Sequence, residues 1–138
     1  MYTIRKEFHF SAAHRLEGHP KCGRLHGHNY AVVVEITGPA LRRGMLIDYG
    51  DLSMVVKPII EPFDHRYIVS QENADAEDKY ADLAGELGHA IPLPKPASTA
   101  EYLAEHFAEK IREVLGHDGL TINVRVSETP KTSADYFG

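Results

Sequence analysis

The strongest constraint in this chain is a period of two. From residue 2 to residue 14, Tyr2, Ile4, Phe8, Phe10 and Ala12 occupy even positions, while Thr3, Arg5, Glu7 and His9 occupy odd ones; Lys6 is the one charged intruder on the apolar parity. A second run, from about Leu25 to Thr37, again places Tyr30, Val32, Val34 and Ile36 on even positions and is rich in β-branched side chains. Such alternation marks half-buried strands, with one face on a core and one on solvent. Residues 15–25 between them form a polar loop with Gly18, Pro20 and Gly23, so the two strands are expected to be antiparallel neighbours.

A third strand is expected at Leu120, Ile122, Val124 and Val126, ending in Ser127-Glu128-Thr129-Pro130, and the tail with Tyr136 and Phe137 suits a short edge strand. Between the strands lie two helix patterns. Asp48 is an N-cap candidate for the first, with Asp51 in its first turn, Leu52, Val55, Val56 and Ile59 on one face, and Pro58 expected to kink or end it. Ser98-Thr99-Ala100-Glu101 reads as a capping box for the second, followed by the stripe Leu103, Phe107, Ile111, Val114 and Leu115 and a stop at Gly116. Strands at both ends with helices between them imply one α+β domain over residues 1–138, its helices on one face of an antiparallel sheet. The other face and the edges of so thin a sheet favour assembly with further copies.

Composition narrows the function. With 43% hydrophobic and 25% charged residues the chain is neither disordered nor fibrous. It has no apolar run of membrane-spanning length, and its start lacks a signal-peptide core, so no membrane partner is expected. A single cysteine excludes an internal disulfide and a cysteine-rich zinc finger, and the expected compartment is the cytoplasm. The net charge of −5 argues against a nucleic-acid partner. That charge is concentrated: Glu72, Asp75, Glu77, Asp78, Asp82 and Glu86 fall between Gln71 and His89 against Lys79 alone, leaving acids and bases balanced elsewhere. Residues 69–95 are too long for a passive connection; Glu77–Leu87 is expected to be partly helical and Ile91–Pro96 extended.

The chemistry lies in the histidines. His26-Gly27-His28 puts two imidazoles at i and i+2, on the same strand face and on the parity of Tyr30 and Val32. His14 shares the parity of Phe8 and Phe10 and can meet that pair across the strands. Three neutral nitrogen ligands with a fourth position open is the pattern of a catalytic zinc site, whereas isolated histidines are usually just hydrogen-bonded or solvated. Nitrogen ligands also suit iron, nickel or copper. Cys22 lies in the joining loop beside Lys21 and Arg24, an electropositive setting of the kind that activates a thiol; it reads as a fourth ligand, a reactive base or a small buried side chain. Arg15, Lys21 and Arg24 give this mouth a positive charge suited to an anionic substrate. Asp64-His65 is a carboxylate–imidazole pair or a surface turn. Glu128 carries the inward parity of strand three, either reaching solvent at the strand end or recognising an amidine edge with two N–H donors.

Taken in order, His14, Cys22-Gly23-Arg24-Leu25-His26-Gly27-His28, Leu46-Ile47-Asp48-Tyr49, Phe63-Asp64-His65, Thr99-Ala100-Glu101 and Ser127-Glu128-Thr129 resemble the 6-pyruvoyltetrahydropterin synthase superfamily. Within it the resemblance is greatest to the 6-carboxytetrahydropterin synthases of queuosine (7-deazaguanine) biosynthesis, and it covers the chain outside the acidic insertion at about 69–95. It implies the tunnelling fold: an antiparallel four-stranded sheet with two helices on one face, closed into an oligomeric barrel as a homotrimer or homohexamer with shared active sites. It further implies Zn2+ on His14, His26 and His28, and Cys22 as the proton-abstracting thiolate with Asp64 and His65 as its relay from a neighbouring subunit. Glu128 would anchor the pterin, with Thr99 and Arg24 also on the substrate, a pterin triphosphate. The rival implications are a pyruvoyl-forming or aldolase-type sister activity, a non-catalytic metal- or pterin-binding protein, and an unrelated three-histidine zinc hydrolase.

Overall fold

A computed structural model describes residues 1–116 and 119–138. The two alternating runs form strands β1 (Tyr2–His14) and β2 (His26–Gly38), paired antiparallel without interruption from Tyr2↔Gly38 to His14↔His26. Helix α1 (Tyr49–Ile60) follows, with Asp48 accepting from the Gly50 and Asp51 amides as its N-cap. Pro58 lies within α1, which ends two residues later and tightens into a 3-10 turn over Glu61–Phe63. The chain then forms β3 (Arg66–Val69), α2 (Gln71–Asp75), α3 (Lys79–Glu86), β4 (Ala90–Pro92), α4 (Ala100–Leu115), β5 (Thr121–Thr129) and β6 (Thr132–Phe137).

The sheet has six strands in the order β4-β3-β1-β2-β5-β6. β1, β2, β5 and β6 make the expected antiparallel unit. The expectation of four strands alone is corrected by β3, which runs parallel to β1 at Ala12 and Ala13, and by β4, which runs parallel to β3. β3 is not visible in the residue pattern, and β4 overlaps only the start of the stretch expected to be extended. Arg66-Tyr67-Ile68-Val69 is too short to show a period, and its central residues Tyr67 and Ile68 are both buried, so nothing alternates. The acidic segment is likewise structured: α2, α3 and β4 occupy it, with α3 over the stretch expected to be helical.

The even-numbered side chains of β1, β2 and β5 meet α1 and α4 in a single core that includes Phe10, Tyr30, Val34, Leu52, Phe107, Ile111 and Val124. Phe10 lies at its centre, stacked on Tyr30 at 4.6 Å and edge-on to Phe63 and Phe107. The opposite face is polar. Arg5 pairs with Glu35, which accepts from Asn123 at 2.9 Å; Asn123 in turn donates to Asp135, the partner of Arg125. Helix α4 is capped by Thr99, whose hydroxyl accepts from the Tyr102 amide. The expected capping box therefore does not form: the cap lies one residue on, at Thr99, where N3 is Tyr102 rather than Glu101, and Ser98 serves another purpose.

Candidate metal centre and its surroundings

The uninterrupted register between β1 and β2 brings the three histidines together. His14 ends β1 opposite His26, and His28 lies opposite Ala12. Ring centroids are 4.6 Å apart for His14–His26, 5.1 Å for His14–His28 and 5.0 Å for His26–His28. One nitrogen from each ring lies within 4.8 Å of the others, a set able to hold a metal ion. The second nitrogens are engaged for two of them. His14 Nδ1 donates to the Ser98 carbonyl at 2.8 Å, with the Ser98 hydroxyl at 3.2 Å, and His26 Nδ1 donates to the Arg24 carbonyl at 2.7 Å. Backbone acceptors on Nδ1 fix the tautomer and leave the Nε2 lone pair facing outward, the usual support for a metal-bound imidazole.

Among the described residues, the buried Nε2 atoms of His14 and His28 have no hydrogen-bond partner. Orphaned ring nitrogens facing one another are costly in an apolar interior unless something binds them, and a divalent cation satisfies all three lone pairs at once. The electrostatics agree. Burial lowers the His14 pKa to about 4 against the pull of the Ser98 hydrogen bond, and His26 and His28 lower it further. His28 is also lowered, by desolvation first and by His26, with Glu128 acting in the opposite sense. Burial thus favours the neutral form of His14 and His28, the form a metal requires.

Glu128 reaches the cluster by means of a β-bulge. β5 and β6 pair at Ser127↔Ser133 and then at Thr129↔Thr132, leaving Glu128 as the extra residue, the kind of position that re-aims a side chain. Its carboxylate lies 3.5 Å from His28 Nε2 and lines a cleft of about 400 Å³ with Glu101, Thr132, Ser133 and Asp135 at the start of α4. The inward parity read from the sequence is therefore correct. Thr99 stands one residue before that cleft's Ala100 and holds the helix cap.

Cys22 is half-buried in the loop, and its sulfur makes no hydrogen bond among the described residues. Its amide donates to His19 Nδ1 at 2.8 Å and its carbonyl accepts from Leu16 at 2.8 Å. This turn needs Gly23, because a Cβ there would collide with the His19 carbonyl. The converging nitrogen set contains the three histidines without Cys22, which does not support the fourth-ligand reading. Lys21 and Arg24 are exposed and form no salt bridge among the described residues, but Arg15 does not contribute to a positive mouth as expected: it is paired with Glu17 and with buried Asp78.

Asp64 and His65 form a pair, Oδ2 to Nδ1 at 2.9 Å, at the sheet edge just before β3. Asp64 Oδ1 accepts from the Ser11 amide at 2.8 Å, and the His65 amide donates to the Ser11 carbonyl at 2.6 Å, with His65 in the left-handed region at φ 59°. The Ser11 amide, followed by His65, holds the Asp64 carboxyl below its usual range. His65 is exposed and borders an open groove of about 460 Å³ together with His28, Asn29 and His89. No hydrogen bond joins Cys22 to Asp64 or His65 within the described chain. Two contributors were not legible in the sequence. Ser98 looked like a helix cap, and Tyr30 looked like plain core, yet its hydroxyl is buried without a partner and its ring stands edge-on to His14 and His28. Burial and the Glu128 charge keep that phenol protonated.

Comparison with known proteins adds three findings. The family model described as 6-pyruvoyl tetrahydropterin synthase matches residues 3–138. A Haemophilus influenzae protein named 6-carboxy-5,6,7,8-tetrahydropterin synthase is 38% identical over 144 residues, covering 99% of each chain, and a Pyrococcus horikoshii relative is 39% identical over 137 residues, covering 94% of this chain and 85% of its own. The solved structure of Plasmodium falciparum 6-pyruvoyl tetrahydropterin synthase superposes with a TM-score of 0.78 at 22% identity, over 99% of this chain and 97% of that one, which shows a shared fold.

Proposed function

This chain belongs to the 6-pyruvoyl tetrahydropterin synthase family, and from that premise we propose that it is a zinc-dependent 6-carboxy-5,6,7,8-tetrahydropterin synthase. It converts 7,8-dihydroneopterin triphosphate to 6-carboxytetrahydropterin with release of acetaldehyde and triphosphate, in queuosine biosynthesis. The observation that carries the reading is the convergence of His14, His26 and His28 with unpartnered buried nitrogens, in a chain whose full-length Haemophilus influenzae relative bears that name.

His14, His26 and His28 would hold the zinc ion, which when bound supplies Lewis acidity to the substrate's side-chain oxygens. The remaining work falls to the chain's own groups. Glu128, beside His28, accepts two N–H donors from the amidine edge of the pterin, with Thr99 close to that cleft. This places the ring anchor and the metal ligands in one site, so the substrate side chain is fixed relative to the histidines. Cys22, as thiolate, takes a proton from the substrate side chain. His65, oriented through Nδ1 by Asp64, moves a proton at the side-chain oxygen. Lys21 and Arg24, both exposed and without an ion pair among the described residues, face the triphosphate. Cys22 makes no hydrogen bond to Asp64 or His65 of its own chain, which supports a site completed by a second copy, in a homotrimer or homohexamer working in the cytoplasm.

The test is incubation of zinc-loaded and EDTA-stripped protein with 7,8-dihydroneopterin triphosphate, with products identified by mass spectrometry. Carboxytetrahydropterin and acetaldehyde from the loaded protein alone are the expected products. The family model's own description favours a second reading, a pyruvoyl-forming enzyme, which a pyruvoyl product would establish. No turnover by loaded protein refutes the enzymatic reading.

A further inference from the structure

Asp78 differs from the acids around it. Its side chain is fully buried, while Glu77 next to it is exposed. One carboxylate oxygen caps α3 through the Tyr80 and Ala81 amides. The other accepts from the Tyr67 hydroxyl at 2.6 Å and lies 3.1 Å from Arg15 Nη1. The same guanidinium donates through Nε to the Gly23 carbonyl at 2.6 Å, one residue beyond Cys22, and stands over the Tyr80 ring at 5.6 Å. The backbone of Arg15 is held from the same segment: its carbonyl accepts from Asn73 Nδ2 at 3.4 Å and from the Ser98 hydroxyl at 3.3 Å. Ser98 also holds His14, so the contacts run unbroken from the acidic segment to a metal ligand.

A buried ion pair is weak evidence for stability, since desolvation offsets most of the attraction; its attested use is to specify one arrangement over others. Here the arrangement specified is that of the loop between His14 and His26. Apart from Arg15, the loop is held within itself by the amides of Leu16, His19, Gly23 and Arg24 on the carbonyls of Cys22, Leu16, His19 and Lys21 and by the Lys21 and Cys22 amides on His19 Nδ1, and it is tied to the acidic segment again where the Glu17 amide donates to Glu72. We propose that Asp78, acting through Arg15, is a positioning residue that sets the Cys22 loop against the histidine cluster, so that the acidic segment is a brace rather than a lid. A lid would have to break this buried pair each time it lifted. The catalytic consequence rests on the role proposed for Cys22; the structural content does not.

Two variants separate the pair from general electrostatics. Asp78→Asn keeps the helix cap and the shape but loses the charge. Arg15→Lys keeps a cation near Asp78 but has no planar fork to reach Gly23 as well. Glu77→Gln, one residue away and exposed, removes a charge of the same sign. In hydrogen exchange on the full-length, metal-loaded protein, the Leu16 and Gly23 amides should exchange about tenfold faster in the first two variants, the order set by losing one charge-assisted hydrogen bond. They should be unchanged in Glu77→Gln. Turnover should show kcat lowered through the displaced Cys22, with the pterin anchor untouched and any rise in KM arising from Lys21 and Arg24 of the same loop. If Asp78→Asn does not fold, Arg15→Lys decides. Parental exchange rates in both variants overturn the proposal, as does an equal effect of Glu77→Gln. A parent without turnover whose loop still loosens in both variants overturns the enzymatic reading and leaves the brace standing.

Discussion

His14 should make the metal-free protein sensitive to mild acid, by an amount the structure allows to be worked out. The ring is 1% exposed, and burial takes its pKa from 6.5 to about 4. In the unfolded chain it protonates near its ordinary value. Between these two pH values the unfolded state binds one proton more than the folded state, so stability falls as the pH drops from about 6.5 and levels off below about 4. Between pH 7 and pH 5 the loss assignable to His14 is about 2 kcal/mol. The perturbation is His14→Gln, which is similar in size, retains a donor for the Ser98 carbonyl and does not titrate. Urea unfolding in EDTA at fixed protein concentration, at both pH values, gives the four free energies required. His28 and His106 are also lowered by burial, but both are present in parent and variant and largely cancel in the difference. The parent should lose about 2 kcal/mol more than the variant on acidification. Equal losses would refute the reasoning, because they would mean that the ring is solvated or already protonated in the folded state.

Four further outcomes follow from the same geometry. His26→Ala should abolish both metal stoichiometry, measured by plasma mass spectrometry, and turnover, whereas Cys22→Ala should keep the metal and lose turnover; a fully active Cys22→Ala enzyme would remove Cys22 from the mechanism. Ser98→Ala should weaken metal affinity in chelator competition by less than about tenfold, because the nearer acceptor for His14 Nδ1 is the Ser98 carbonyl, which survives the substitution. Tyr30→Phe should leave chemical denaturation of the apo protein unchanged or shift it upward by about 1 kcal/mol, since it removes a buried hydroxyl that has no partner; a loss of similar size would show that the hydroxyl is engaged. Glu128→Gln should lower kcat/KM by tenfold or more with metal content intact, because an amide offers only one acceptor to a two-donor edge.

What the residues revealed and what they hid divide along physical lines. β1 and β2 were legible because each side chain in a half-buried strand reports its own face, and thirteen uninterrupted pairs carry that parity from Phe8 to His14 and from Val34 to His26. The histidine cluster follows from that parity with no further information. β3 was not legible, and β4 only as an extended stretch: the parallel pairing of β3 to β1 and of β4 to β3 is decided by the packing of distant segments. Ser98 was misread for a related reason. A serine before a helix is equally good as a cap or as an acceptor for a buried imidazole, and only the closeness of His14 decides between them. Arg15, read as part of a cationic mouth, is neutralised by Asp78 from sixty-odd residues away, a pairing that a local reading of charge cannot find.

The histidines stand at the ends of rigid paired strands, with two Nδ1 atoms tied to carbonyls, so the nitrogen array is set before any ligand arrives. That order has a cost in the metal-free protein, since the His14 and His28 Nε2 atoms stay buried without partners. A cation that binds only the folded chain relieves this cost and stabilises the fold by mass action, in proportion to the logarithm of its concentration over its dissociation constant. The same ion must displace protons from any imidazole that carries one, and here burial has already kept His14 unprotonated at neutral pH. Acid sensitivity and metal stabilisation are therefore two consequences of one arrangement. Loading the site should suppress the His14-dependent acid loss until the pH is low enough to eject the ion, so the urea midpoints of loaded parent at pH 7 and pH 5 should differ less than those of the EDTA-treated protein.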